Sequence, residues 1–257
     1  KFNQTWIFIK RVVIMEPKEI KQNINCFYIP EIETQFIQLP EEESKHAVKA
    51  LRLQPGDQLL LSNGNGKLAI STIVSNDYKK TIVEVNKTIE TSPLPYKLHI
   101  AMSPLQHSDR FEWFIEKAVE LGIEQITPLL CHRTEKKHIN LERMNKICIS
   151  ALKQSRQSYL PKINSLQKID DFIKTETNTN KAIARCEGER VNIKNWITSS
   201  KSTSYTILIG PEGDFTEKEW ELAQQYNFTP IFLGSNVLRS ETAAIFVAAA
   251  FRYEFIY

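Results

Sequence analysis

The feature that most constrains this chain lies in its second part, where short apolar runs alternate with amphipathic ones. LHIAM (98–102), ITPLL (126–130), KAIARC (181–186), YTILIG (205–210) and PIFLG (230–234) read as strands. Helical patterns fall between or after them. DRFEWFIEKAVELG puts Phe111, Phe114, Ile115, Ala118 and Leu121 on one helical face and stops at Gly122; LERMNKICISALKQS (141–155) is a second such stretch. Strands separated by helices predict a parallel α/β sheet. Ligands of such sheets sit beyond the carboxyl ends of the strands, which directs attention to the loops after YTILIG and PIFLG.

The front of the chain has a different texture. FYIP, FIQL, DQLLLS, LAISTIV and KTIVEV are short, β-branched runs separated by turns at Pro55–Asp57 and Asn63–Gly66, with one helix expected over EEESKHAVKAL. They predict a small β-barrel. Two prolines in TSPLP (91–95) suggest the linker. We therefore expect a leader over 1–24, a barrel over 25–92 and an α/β domain over 93–257. The leader is not expected to be a signal peptide, because its apolar part is short and broken by Lys10 and Arg11. An extra strand, a variable leader and a start at Met15 stay open.

A net charge of +3, from 33 Lys+Arg and 30 Asp+Glu, permits a nucleic-acid partner without demanding one. Cys26, Cys131, Cys148 and Cys186 have neither zinc nor disulfide spacing and read as reduced thiols of a cytoplasmic protein. No apolar run of about 18 residues is present, so no membrane span is expected.

Two strand-end segments carry chemistry. In YTILIGPEGDFTEKEW a strand runs into Gly210-Pro211-Glu212-Gly213, whose glycines allow close approach of a ligand, and Thr216 with Glu219 forms a capping box. In PIFLGSNVLRSETAAIFVAAAF a polar loop precedes a nearly all-apolar helix suited to the core or a subunit interface, with Ser240 as expected N-cap. Arg239 beside that helix is not needed for packing. The plain alternatives are a strand–turn–helix connection and an Arg239–Glu241 pair at a helix start. A third match, G-x-G-x-x-A at Gly64–Ala69, is followed by a strand pattern rather than a helix and reads as a hairpin turn. His99 lies within a strand and reads as structural.

Together GPEG and LRSETA, in this order and spacing, resemble the 16S rRNA uridine-N3 methyltransferases, the RsmE family of the SPOUT superfamily. FYIP, His46 with Leu51-Arg52, Gly56-Asp57 and the Gly64–Gly66 turn look like that family's PUA-like barrel, and Asp109–Leu129 looks like its first helix and second strand. The resemblance implies a PUA-like β-barrel followed by an α/β trefoil-knot methyltransferase domain, a homodimer, and S-adenosyl-L-methionine as cofactor. It implies as substrate uracil-1498 of 16S rRNA in the 30S subunit. The cofactor would rest on Ile209, Gly210, Leu233, Gly234 and Leu238, with Glu212, Gly213 and Thr242 shaping its pocket. The chain departs from many relatives at Asn236, where they have Arg, and at KQSRQ (153–157), where they have an EQSGR-like run.

The chemistry needs the uracil imino proton removed, the resulting anion stabilised and the base unpaired or flipped. Arg239 is the candidate for anion stabilisation or base orientation. Glu241 or Glu212 is the candidate to accept the proton or to hold Arg239. No metal is expected; His132 and His138 lack a clear third ligand. The loop CHRTEKKH brings Arg133, Lys136 and Lys137 as phosphate contacts, with Arg110 and Lys153 as lesser ones and His46, Lys49 and Arg52 as a second patch on the barrel. Rival readings are a SPOUT enzyme acting on tRNA or a ribose 2′-hydroxyl, and a non-catalytic RNA-binding protein of the same fold.

Overall fold

A computed structural model describes residues 24–200 and 202–256. The expected leader thus lies, apart from Ile24, outside the described residues.

The front strands are β1 (Cys26–Tyr28), β2 (Phe36–Gln38), β3 (Gln58–Ser62), β4 (Lys67–Ser75) and β5 (Ile82–Glu90). They form one sheet in the order β1-β3-β4-β5-β2, a curled half-barrel with β1 and β2 at its edges. Alternate residues such as Phe27, Leu59, Leu61, Ala69, Ile73 and Val83 point into one apolar cluster, as strand periodicity requires. Gly64 and Gly66 take φ of 68° and 92° in the β3–β4 hairpin, so the glycine match is a turn, as expected. The expected helix departs from regularity. Helix α1 (Glu41–Lys45) gives way to a single π-helical turn over His46–Ala50, closed by Leu51 N–H donating to the His46 carbonyl. Arg52 then adopts φ 55°, a left-handed conformation that costs an arginine about 1–2 kcal/mol.

The second sheet is built from β6 (Lys97–Met102), β7 (Gln125–Leu130), β8 (Lys162–Ile163), β9 (Gln167–Lys168), β10 (Asn180–Ala184), β11 (Val191–Asn192), β12 (Ser204–Ile209) and β13 (Thr229–Phe232). Every pairing is parallel, in the order β11-β13-β10-β12-β6-β7-β8, with β9 also on β7. Helices α2 (Ser108–Leu121), α3 (Leu141–Ser155), α5 (Ile193–Ser199) and α7 (Ser240–Ile256) cover one face. Helices α4 (Ile169–Thr175) and α6 (Glu217–Gln225) cover the other. Alternation again sorts the side chains: Leu98, Ile100 and Met102 pack on the first set, Ala101 on the second. The short β8, β9 and β11 were not legible because two residues carry no period. Gly122 ends α2 in the left-handed conformation, φ 79°.

His99 is buried in β6, on the α4 side of the sheet. Its Nε2 lies 2.7 Å from Thr127 Oγ1 and its Nδ1 3.5 Å from Glu176 Oε2. It is a structural histidine, as its strand position suggested. Burial opposes ionisation of Glu176. The hydrogen bond from His99, the Asn178 amide and the Thr206 hydroxyl outweigh it and bring the carboxyl down to about 2.

Candidate active site

The carboxyl ends of β12, β6 and β7 carry three loops that are tied to one another by side chains. After β12, Pro211–Asp214 forms a turn, with Asp214 N–H donating to the Pro211 carbonyl. Gly210 is closely packed: a Cβ there would press on the Phe215 ring at 3.2 Å. The expected capping box is present in both directions between Thr216 and Glu219. Glu219 is buried, and it does more than cap. One oxygen accepts from Thr216, while the other accepts from the His132 amide at 2.7 Å, joining the β7 loop to the start of α6. This second role was not foreseen, because the partner lies 87 positions away.

Arg133 strengthens the same joint. Its Nη1 donates to the Gly213 carbonyl at 2.5 Å and faces that of Phe215 at 3.4 Å. A side chain at Gly213 would crowd the Arg133 stem at 3.3 Å. Lys136 donates to Ser108 Oγ at the start of α2. Of the three cations in this loop, then, two brace neighbouring loops, and Lys137 is exposed with no hydrogen bond or ion pair among the described residues. Glu212, exposed at its loop tip, accepts from the Gln106 amide at 3.0 Å, which ties the GPEG turn to the β6–α2 loop.

Between the β6 and β7 loops lies a cleft of about 620 Å³, floored by Leu105, Phe111, Ile139 and Met144 and rimmed by Lys136 and Arg143. That is the size range of a nucleotide-sized ligand. Arg143 is held in a fork by Glu112, at 2.5 and 2.6 Å, so one rim cation is already matched.

After β13 the chain runs through Leu233, half-buried, and Gly234, exposed, to Leu238 and Arg239. Gly234 has φ 139°, and a Cβ built on it meets nothing within 4 Å. Its backbone therefore faces open space in a conformation that L side chains rarely adopt, beside two leucines that pack on the main core.

Helix α7 begins at Ser240 itself, and the first carbonyl to accept within it belongs to Arg239, which receives Ala243 N–H at 2.8 Å. Arg239, not Ser240, is therefore the capping position. The Arg239 side chain is exposed and has no partner among the described residues. The plain Arg239–Glu241 pair is absent: Glu241 is buried and lies 4.0 Å from Arg110 Nε on α2 instead. Thr242 is exposed on α7, and Ile209 is buried at the end of β12. The site candidates thus separate into a strand-end group (Ile209, Gly210, Glu212, Gly213, Leu233, Gly234, Leu238), a helix-start group (Arg110, Arg239, Glu241, Thr242) and a basic loop.

A half-barrel joined to a parallel sheet with linked strand-end loops is the architecture of the RNA methyltransferases that carry a PUA module. The family model for the RNA methyltransferase domain matches residues 92–252, and that for the RNA methyltransferase PUA domain matches residues 39–85. The chain belongs to the ribosomal RNA small subunit methyltransferase E family. It is 35% identical to the protein of that name from Rickettsia conorii over 86% of this chain and 91% of the relative, and 30% identical to that of Bacillus subtilis over 83% and 88%. Among solved structures it is similar to a Legionella pneumophila protein described as a methyltransferase in complex with bound SAM, with TM-score 0.81, 28% identity and coverage of 90% and 98%. The Neisseria gonorrhoeae methyltransferase E structure, bound to S-adenosyl methionine, shares the fold with TM-score 0.79 and 24% identity over the same shares of the two chains.

Proposed function

We propose that this protein transfers a methyl group from S-adenosyl-L-methionine to N3 of one uridine of 16S rRNA in the 30S subunit. The observation that carries the reading is an exposed Arg239, unpartnered among the described residues, between the open Gly234 loop and a buried, Arg110-facing Glu241. Relatives named as small-subunit rRNA methyltransferases, and one solved with S-adenosyl methionine, support it.

When bound, the cofactor supplies an electrophilic methyl on a sulfonium. The residues that would hold it are Ile209, Gly210, Leu233, Gly234 and Leu238, with Glu212, Gly213 and Thr242 around them. Arg239 orients the base and meets the charge that spreads over uracil O2 and O4 as the imino proton leaves. Glu241 accepts that proton or, through Arg110, sets the charge at the start of α7. The strand approaches along the cleft between the β6 and β7 loops, where Lys137 and the outer edges of Arg133, Lys136 and Arg110 meet phosphate. His46 and Arg52, on the half-barrel, form the second contact. In this reading residues 25–92 are the RNA-binding module and 93–257 the methyltransferase.

The working form is a cytoplasmic homodimer with a knotted catalytic domain. Thr242, Phe246, Ala249 and Tyr253 form one exposed stripe along α7, and Trp113 is exposed on α2, which packs beside it. An apolar helix face of this kind suits a second copy. The knot is supported by the path of the chain: β12 lies inside β10, β13 lies outside it, and α7 then returns to pack on β6 and α2.

The test is transfer of labelled methyl to 30S subunits that lack the modification, with mass spectrometry of the product nucleoside. Formation of 3-methyluridine in 16S rRNA is the expected result. Transfer only to tRNA or to a ribose overturns the substrate assignment, and failure of the folded protein to bind S-adenosylmethionine by calorimetry overturns the enzyme reading.

A further inference from the structure

The two modules are fastened at two separate places. One is the hairpin turn whose glycines imitated a nucleotide-binding motif. Gly66 N–H donates to the Ser158 carbonyl and Leu160 N–H to the Gly64 carbonyl, both at 2.8 Å, while the Tyr159 hydroxyl donates to the Thr91 carbonyl. A side chain at Gly66 would overlap the Tyr159 ring end at 2.4 Å, so Gly66 is the socket for that ring.

The second place is electrostatic. Glu43 on α1 meets Lys153 in the last turn of α3 at 2.7 Å, and both side chains are largely withdrawn from water, 12% and 22% exposed. The other Glu43 oxygen, Oε2, is buried without a hydrogen-bond partner, and His46 Nδ1 is 3.9 Å from it. His46 opens the π-helical turn that leads to Lys49 and Arg52, and its ring lies against Phe27.

We infer that Glu43 and Lys153 are positioning residues for rRNA recognition: they set the basic turn His46–Arg52 at a fixed place relative to the catalytic loops, and RNA phosphate at His46 completes the arrangement. A withdrawn ion pair adds little net stability but strongly prefers one geometry, since separating its members leaves a charge unmatched. Phosphate on the exposed side of His46 fixes the ring whose Nδ1 faces the unpartnered Glu43 oxygen. Phosphate, His46, Glu43 and Lys153 then form one connected chain of polar groups. The inference rests on the rRNA reading above.

The experiment is steady-state methylation of 30S subunits by the intact protein and by K153M, K153R, E43Q, H46Q and K153M/H46Q. K153M is expected to raise KM for 30S on the order of tenfold, the scale of one matched polar interaction, with kcat and S-adenosylmethionine affinity unchanged. K153R is expected to restore KM. E43Q, which removes only the charge, is expected to match K153M, so a folding defect in one variant does not decide the matter. H46Q is expected to raise KM in the parent and to add less than about twofold to K153M, because the residues act in one connected chain. An unchanged KM in K153M and E43Q, an equal fall in kcat, no rescue by K153R, or full multiplication of the H46Q and K153M effects overturns the inference. A parent protein that binds cofactor but leaves 30S unmethylated overturns the rRNA reading, and this inference with it.

Discussion

In the proposed mechanism the chemistry turns on Arg239, and its setting makes a clean prediction. Its side chain bonds none of the described residues, so Arg239→Ala removes nothing from the core. Methyl transfer is expected to fall by roughly 100-fold or more, the scale of one missing oxyanion donor, with an unchanged melting temperature by circular dichroism. Glu219 is the contrasting case, because it is buried and bonds three groups on two loops. Glu219→Ala is expected to destabilise the protein by about 1–2 kcal/mol through loss of the cap alone, and to weaken cofactor binding measured by calorimetry. Glu176 gives a pH prediction. Its carboxyl sits at about 2 in the fold against 4.5 ordinarily, so its stabilising contribution is full above about pH 4.5 and is lost as pH falls toward 2. Glu176→Gln is expected to flatten the decline in chemical-denaturation midpoint across that window. The buried thiols Cys26 and Cys148, pushed up to about 12 by burial, stay protonated throughout it.

At the scale of elements, the β7–α3 loop has two duties. Arg133 and Lys136 brace the GPEG turn and the start of α2, while Lys137 is free to meet solvent. Neutralising all three is expected to weaken RNA binding and flatten its salt dependence by about one unit of slope for each phosphate no longer neutralised. Fluorescence anisotropy over a salt series checks this. Lys137→Ala alone is expected to change the slope without changing cofactor affinity, whereas Arg133→Ala lowers both. The elements themselves were largely legible. The α3 pattern matches its residues, and α2 starts one residue before the predicted stretch and stops at the predicted glycine. The π-helical turn was not legible, since its shift in hydrogen bonding leaves the apolar spacing of HAVKA unaltered.

At the scale of the molecule, the stripe Thr242–Phe246–Ala249–Tyr253 is the surface proposed to meet a second copy. If the protein is the proposed dimer, Phe246→Glu with Tyr253→Lys is expected to yield a monomer by light scattering; an unchanged mass overturns that assignment of the stripe. The two fastenings between modules belong to this scale too. They join residues 92 and 110 positions apart, Gly66 with Ser158 and Glu43 with Lys153.

What the sequence by itself determined is the layer order and the position of the working loops. Strand and helix periods are local, and GPEG with LRSETA marks the two strand ends proposed to hold the ligand. What only the tertiary structure decided is which charges remain free. Arg133, Lys136 and Lys153 look alike in sequence to Lys137 and Arg239, yet three are matched by carbonyl, hydroxyl or carboxylate partners from elsewhere in the chain. The physical reason is that a cation's availability depends on the distances around it in space, and these are set when distant segments pack. The alternation of strands and helices fixes where such segments end, and their packing selects the few polar groups left to act on RNA.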